Sequence, residues 1–134
     1  IMWENCGVIK NKDLLEIGLK RIEIIKSKLK EIDIRIDYNS CEDLALIFDL
    51  QSSLISAEAT IISSLERKES RGAHQRSDFP NEDSSYNFNC LIEMNSKSKE
   101  LKVAQIPLKK LNQSLQKQVN KAIREVNMKD KLLE

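Results

Sequence analysis

The stretch Glu69-Ser70-Arg71-Gly72-Ala73-His74-Gln75-Arg76-Ser77-Asp78-Phe79-Pro80 sets the chain's only histidine and two arginines on a glycine-interrupted turn that leaves a long apolar helical pattern. Gly72 can take a positive φ at little cost, which suits the residue just past a helix end. Phe79 followed by Pro80 predicts an extended, anchored exit rather than a loose tail. Opposite charges and a ring packed this closely form a candidate structural or interdomain cluster, comprising Glu66, Glu69, Arg71, Gly72, His74, Arg76, Asp78 and Phe79.

Upstream of the turn, Leu44, Ile47, Phe48, Leu54, Ile55, Ile61, Ile62 and Leu65 recur at helical spacing, with Leu46, Leu50, Ala57 and Ala59 widening the apolar surface. This pattern predicts a central helix over 44–65, buried on more than one side. Ser53, Ser56, Ala57, Ala59, Ser63 and Ser64 would let another backbone approach, so the surplus of small and apolar surface points to a partner. Ser40 with Asp43 suits the start of that helix. Before it, Leu15, Leu19, Ile22, Ile25, Leu29 and Ile32 define an amphipathic helix of about twenty residues with Asn11 and Asp13 at cap positions. Ile34, Ile36 and Tyr38 alternate with charged residues and read as an extended connector. Met2 to Cys6 reads as a short helix or an extended lead-in.

Downstream of Pro80, alternation over Tyr86 to Met94 and Glu100 to Ile106, separated by a turn at Asn95 to Lys99, predicts a β-hairpin. Two strands alone are marginal in water and need a surface to lie on. Leu108, Leu111, Leu115, Val119, Ala122, Ile123 and Val126 give a last helical stripe, which either completes the bundle or stands off as a basic appendage. The resulting fold class is mainly α: a small antiparallel bundle of about three helices with an added hairpin. At 134 residues the chain is one domain, with a helical region over 1–80 and a hairpin plus basic helix over 81–134.

Composition narrows the function. With 22 basic and 21 acidic side chains the formal charge is +1, so no overall field favours nucleic acid or an anionic membrane. The balance is uneven, because from Lys97 onward ten Lys/Arg face four Asp/Glu. No uninterrupted apolar run approaches a membrane span, and residues 1–5 lack the basic start of a signal peptide. Cys6, Cys41 and Cys90 lie far apart, as suits reduced thiols in an intracellular protein rather than a disulfide frame or metal site. The opening Ile1-Met2-Trp3 suggests a segment of something longer.

His74 is the one side chain suited to proton transfer near neutral pH. Ser70 and Ser77 with Glu66, Glu69 and Asp78 match neither a nucleophile elbow nor a serine-protease triad. Arg71 and Arg76 could grip a dicarboxylate, or pair with Glu66, Glu69 and Asp78 to hold the turn; the second, structural role is the one favoured. Three glycines with no GxGxxG run leave no dinucleotide fingerprint.

The run from Ser64 to Pro80 closely resembles the signature in the C-terminal helical domain of the flavoprotein subunit of succinate dehydrogenase and fumarate reductase, and of the related L-aspartate oxidase. Met2 to Asn11 resembles the segment that opens that domain, and Leu54-Ile55-Ser56-Ala57-Glu58 its small-residue helix. The likeness covers about Met2 to Pro80. Beyond Asn81 it thins, since Ser84-Ser85-Tyr86 stand where succinate dehydrogenases carry tryptophan and histidine. Ala73, where the oxidase more often has leucine, tilts the likeness toward the first two enzymes. The resemblance implies a structural and docking domain with no catalytic, cofactor-binding or metal-binding residue of its own. It implies FAD in the parent protein, the flavin-binding domain of that protein as partner, and an iron–sulfur subunit nearby. It further implies a cytoplasmic location, at the inner face of a membrane through partner subunits, without nucleic acid or direct membrane insertion. A stand-alone helical adaptor is the competing reading.

Overall fold

Asn11 starts the first long helix by accepting the backbone N–H of Leu14 on its side-chain oxygen at 2.9 Å, which satisfies one of the donors that a helix start leaves free. The computed structural model describes residues 1–34 and 41–130. In chain order it contains α1 (Met2–Asn5), β1 (Ile9–Lys10), α2 (Lys12–Lys28) with a 3-10 turn at Leu29–Glu31, and α3 (Cys41–Glu66). There follow β2 (Gln75–Arg76), a 3-10 turn at Ser84–Tyr86, β3 (Phe88–Met94), β4 (Leu101–Pro107) and α4 (Gln113–Asp130). The domain is mainly helical with an antiparallel hairpin, as its periodicities require. Ile36, Tyr38 and Ser40, assigned above to a connector and a helix start, lie outside the described residues.

Helices α2 and α3 pack antiparallel. Leu15 and Ile22 on α2 meet Leu54 and Ile61 on α3 as the buried core, with Leu19, Ile25, Leu29, Ala57 and Leu65 packed around them and Ile1, Met2 and Cys6 closing one end. Lys26 on α2 and Glu58 on α3 form an ion pair of 2.7 Å along the seam. The N-terminal turn α1 is held to α2 by Arg21, whose Nη1 donates to Glu4 at 2.6 Å and to Asn5 at 3.0 Å.

One expectation is corrected by these contacts. Helix α3 is central, yet among the described residues only one face is covered, and Leu46, Phe48, Leu50 and Ile55 are exposed. The reason is length: at 1.5 Å per residue α3 runs for about 39 Å and α2 for about 26 Å, so the first half of α3 overhangs its partner. By length and composition α3 would also suffice to cross a membrane, despite Asp49 and Gln51 interrupting its apolar run. Its hydroxyls are partly masked, since Ser52, Ser56, Thr60 and Ser63 each donate to the carbonyl four residues earlier. Here its apolar face instead packs on α2.

The hairpin pairs Phe88 with Pro107 through Met94 with Leu101, shifted by one or two residues from the sequence reading at its outer ends. Its turn is built by Asn95, which accepts the N–H groups of Lys97 and Ser98 on its side chain, while Lys99 takes φ 59°. The surface the hairpin needs is the end of α3: Gln105 donates to Glu66 at 2.7 Å. Helix α4 begins at Asn112, whose side chain accepts the N–H of Leu115 at 2.8 Å, and its residues 113–124 are all exposed. It stands as an appendage rather than as a bundle member.

Gly18 marks where α1, α2 and α3 converge. A Cβ there would lie 2.9 Å from Ile61 Cδ1 and 3.0 Å from Asn5 Cβ, so the glycine permits the helix crossing despite its poor helix propensity. Replacing Gly18 by Val should therefore destabilise the fold by about 1–3 kcal/mol through overpacking. A lowered urea midpoint with unchanged slope is the expected readout, and an unchanged midpoint would mean that the helices can separate without penalty.

Candidate docking site and its arginine clasp

Helix α3 ends at Glu66, leaving carbonyls without intrahelical partners and a partial negative charge at its C-terminus. Arg76 fills that need. Its Nη1 donates to the carbonyl of Ser64 at 2.6 Å and to that of Arg67 at 3.4 Å. The other edge of the same guanidinium forms a fork with Asp78, at 2.8 Å from Nε to Oδ1 and 2.7 Å from Nη2 to Oδ2. Asp78 Oδ2 also accepts the backbone N–H of Lys12, the first residue of α2, at 3.0 Å, where a carboxylate complements the helix N-terminus. One arginine–aspartate pair thus ties the end of α3 to the start of α2. Arg76 is 2% exposed, and the Phe79 ring lies 5.0 Å from its guanidinium carbon.

The second half of the clasp centres on Glu69, which is fully buried. Its oxygens accept from Arg67 Nη1, from Arg71 Nε and Nη2 at 3.0 Å each, and from the backbone N–H of Asp83 at 2.9 Å. Arg71 also pairs with Glu82. Arg67 extends the network to the hairpin by donating to the carbonyls of Tyr86 and Phe88, with its guanidinium carbon 5.1 Å from the Phe88 ring centre. The tight turn between the two halves is closed by reciprocal backbone bonds between Arg71 and His74, with Gly72 at φ +55°.

His74 directs Nε2 at the carbonyl of Arg67, 3.1 Å away. Burial lowers its pKa, and the neighbouring cations Lys10, Arg76 and Arg67 push the same way while the Arg67 carbonyl opposes them. Ser70 is buried and its Oγ lies between the carbonyls of Arg76 and Phe79 and the N–H of Arg76, holding the turn as a loop. Strand β1 lies parallel to β2, with Ile9 opposite Gln75 and Lys10 opposite Arg76, so residues 8–10 are stitched to the motif. Lys10 is buried, donates to the Val8 carbonyl at 3.0 Å, and has its pKa lowered chiefly by burial.

Seven of the eight residues singled out above meet in or beside this clasp. Glu66 does not. It is the last residue of α3 and accepts from Gln105 of the hairpin, apart from the arginine network. Arg67, Ser70 and Asp83 were missed. A signal for Arg67 was present, because Arg67, Glu69 and Arg71 alternate along a non-helical segment and so share one side.

The chemistry available is that of a lock. Guanidinium donors of Arg67, Arg71 and Arg76 are directed at carboxylates and carbonyls, and among the described residues no group of three or more His, Cys, Asp or Glu could hold a metal ion. The three glycines serve the backbone. Gly7 is pressed against the Trp3 carbonyl, Gly18 is packed between helices, and Gly72 sits in the turn. The class of protein is a mainly helical domain whose clustered charges hold its own backbone.

The particular family follows from comparison. The chain matches the family described as "Fumarate reductase flavoprotein C-term" over residues 1–131, and it belongs to that family. An uncharacterized FAD-dependent oxidoreductase of Methanocaldococcus jannaschii is 34% identical over 92 residues, covering 69% of this chain and 16% of that protein. The fumarate reductase flavoprotein subunit of a Serratia species is 37% identical over 79 residues, 58% of this chain and 13% of that protein. L-aspartate oxidase of Pyrococcus furiosus is 35% identical over 80 residues, 60% of this chain and 12% of that protein. Among solved structures, E. coli quinol fumarate reductase FrdA superposes with a TM-score of 0.73 at 25% identity, over 83% of this chain and 20% of that one. The chain thus spans roughly a seventh of the curated relatives' length, and corresponds to the C-terminal domain of a flavoprotein subunit.

The clasp can be tested by ranking substitutions within it. Arg76→Ala should destabilise the domain by about 2–4 kcal/mol, because it leaves the carbonyls at the end of α3 and the partly exposed Asp78 carboxylate without their partner. Arg71→Ala should reach only about 1–3 kcal/mol, since Arg71 is more exposed and Glu69 keeps Arg67 and the Asp83 N–H. Lys28→Ala should stay within about 0.5 kcal/mol. Parallel urea titrations rank the three, and equal midpoints for Arg76→Ala and Lys28→Ala would reduce the clasp to ordinary surface charge.

Acid sensitivity gives the other test. Hydrogen bonds from Arg71 lower the Glu69 pKa from 4.5 to about 2, and those from Arg76 lower Asp78 from 3.8 to about 2. Folded values below unfolded ones mean stabilisation that is complete above about pH 4.5 and drains away as pH falls toward 2. His74 has the same sign, beginning below its ordinary 6.5. Stability should fall steeply across that acid window in the native chain, and Glu69→Gln should be less stable by about 3 kcal/mol near pH 7 with a shallower acid slope. An identical slope in the variant would remove Glu69 from the account.

Proposed function

We propose that this domain braces the flavin-binding domain of the polypeptide it belongs to, in a flavin-dependent oxidoreductase acting on a dicarboxylate: a succinate dehydrogenase or fumarate reductase flavoprotein subunit. The observation that carries the reading is the bare half of α3. Leu46, Phe48, Leu50 and Ile55 are exposed on a helix whose opposite end is clamped by buried Arg76 and Glu69, so the domain presents an apolar rod from a rigid mount. Large exposed apolar surface beside small residues suits a close interdomain contact.

In this reading FAD is held by the neighbouring domain, which also supplies the groups that bind the dicarboxylate and move its proton. None of Arg71, His74 or Arg76 is assigned a catalytic role, because each is engaged with this domain's own backbone or carboxylates. An iron–sulfur subunit as electron partner, and a cytoplasmic position at the inner face of a membrane through partner subunits, complete the proposal. L-aspartate oxidase is the second reading, favoured by the Pyrococcus furiosus relative of that name.

The experiment is co-expression of this domain with its flavin domain, as the natural polypeptide or as two chains. Phe48→Glu, Ile55→Glu and Ala59→Leu should weaken assembly by about tenfold or more for each residue that lies at the contact. Flavin absorbance and turnover of succinate, fumarate and L-aspartate then separate the two enzyme readings. A flavin-free natural product of only 15.4 kDa, or assembly indifferent to all three substitutions, would favour the stand-alone adaptor.

A further inference from the structure

The segment from Leu101 to Arg124 contains six cations, Lys102, Lys109, Lys110, Lys117, Lys121 and Arg124, and no acidic residue. That is a local property, since the whole chain is close to neutral. Within it α4 starts at the capped Asn112, and Leu115, Val119 and Ile123 repeat every four residues along it. All three are exposed, as are Leu108 and Leu111 in the lead-in. At 100° per residue Lys117, Lys121 and Arg124 fall on the side away from that stripe. The helix does not contribute to the core, which is formed by α2 and α3 with α1 at its end.

We infer that α4 with its Lys109-Lys110 lead-in is an interfacial helix that lies on an anionic lipid surface, the apolar stripe at the acyl boundary and the cations facing headgroup phosphates. Two independent properties of the segment are matched by one occupant. An exposed apolar stripe by itself would suit any greasy partner, and an acid-free run of cations by itself would suit any polyanion. An anionic bilayer supplies both a hydrocarbon edge and a layer of negative charge on the scale of one short helix. A nucleic acid would use the cations and leave Leu115, Val119 and Ile123 in water. A second α4 would cover the stripe, yet would bring two cationic segments together without a compensating acid before residue 125. The helix adsorbs and does not cross, because its 18 residues are interrupted by Lys117, Lys121 and Arg124. This inference does not depend on the redox assignment, and it concerns a different part of the chain from the α3 docking face.

The test is co-sedimentation of the full natural polypeptide carrying this domain with vesicles of phosphatidylcholine alone or with about a third phosphatidylglycerol. Binding is expected only to the anionic vesicles, and should be largely lost at about 0.5 M salt. Neutralising Lys110, Lys117 and Arg124 together to Gln should weaken it on the order of a hundredfold, at about fivefold per cation, whereas the matching Arg and Lys exchanges should retain it. Val119→Asn with Ile123→Asn should also abolish binding while leaving flavin content and turnover unchanged. Equal binding to neutral vesicles, no binding to anionic ones, or binding indifferent to the Gln variants would overturn the inference. So would a vesicle-free change in oligomeric mass caused by Val119→Asn with Ile123→Asn, which would assign the stripe to a second copy, or a salt-dependent complex with single-stranded DNA in place of lipid.

Discussion

The fork between Arg76 and Asp78 is the constraint on which the remaining contacts depend. A helix pair whose apolar core comes, among the described residues, from Leu15, Ile22, Leu54 and Ile61 is a small object, and polar contacts close the end where α3 stops and α2 starts. At that end one guanidinium satisfies the last carbonyls of α3 while its carboxylate partner satisfies the first N–H of α2. Opposite helix dipoles are thereby joined through an ion pair whose arginine is buried and whose aspartate stays partly open to solvent. Removing Asp78 would leave the buried Arg76 charged without its carboxylate, which costs more than the pair contributes to net stability over an apolar substitute.

Around that fork the charges are arranged in layers. Glu69 is surrounded by two arginines and a backbone N–H, and Arg67 passes the connection on to the carbonyls at the start of the hairpin. The hairpin consequently rests on the end of α3 through polar groups, where two strands alone would have too little to bury. Ser70 and the Arg71–His74 turn hold the intervening backbone. The motif that resembles an active-site loop in its composition is a device for fixing backbone, and its arginines are directed inward at their own chain.

Two of the apolar surfaces left uncovered among the described residues differ in kind. The overhanging half of α3 is apolar with small residues beside it, as suits packing against another folded domain. The C-terminal helix pairs its apolar stripe with cations, as suits a boundary between oil and negative charge. Family membership concerns the whole chain to residue 131, whereas the physical roles of the two surfaces are separable, since one can be altered without touching the clasp or the other.

Much of the fold is written locally. Asn11 before an apolar stripe, the 3.6-residue pattern of α2 and α3, and the alternation on either side of Asn95 are each decided within a few residues, so the mainly helical class, the capped helix start and the hairpin are legible from the chain alone. The charged turn after α3 is equally visible as a cluster of Glu69, Arg71, His74, Arg76 and Asp78. What those groups bond to is not visible. Lys12 meets Asp78 across 66 positions, Arg67 meets Phe88 across 21, and Glu66 turns away to Gln105. Local periodicity cannot choose among such partners, because a guanidinium is equally satisfied by a carboxylate, a helix end or a ligand. The choice is made only when packing brings the end of α3 against the start of α2 and buries the groups together, since burial is what makes an unpaired charge too costly to leave.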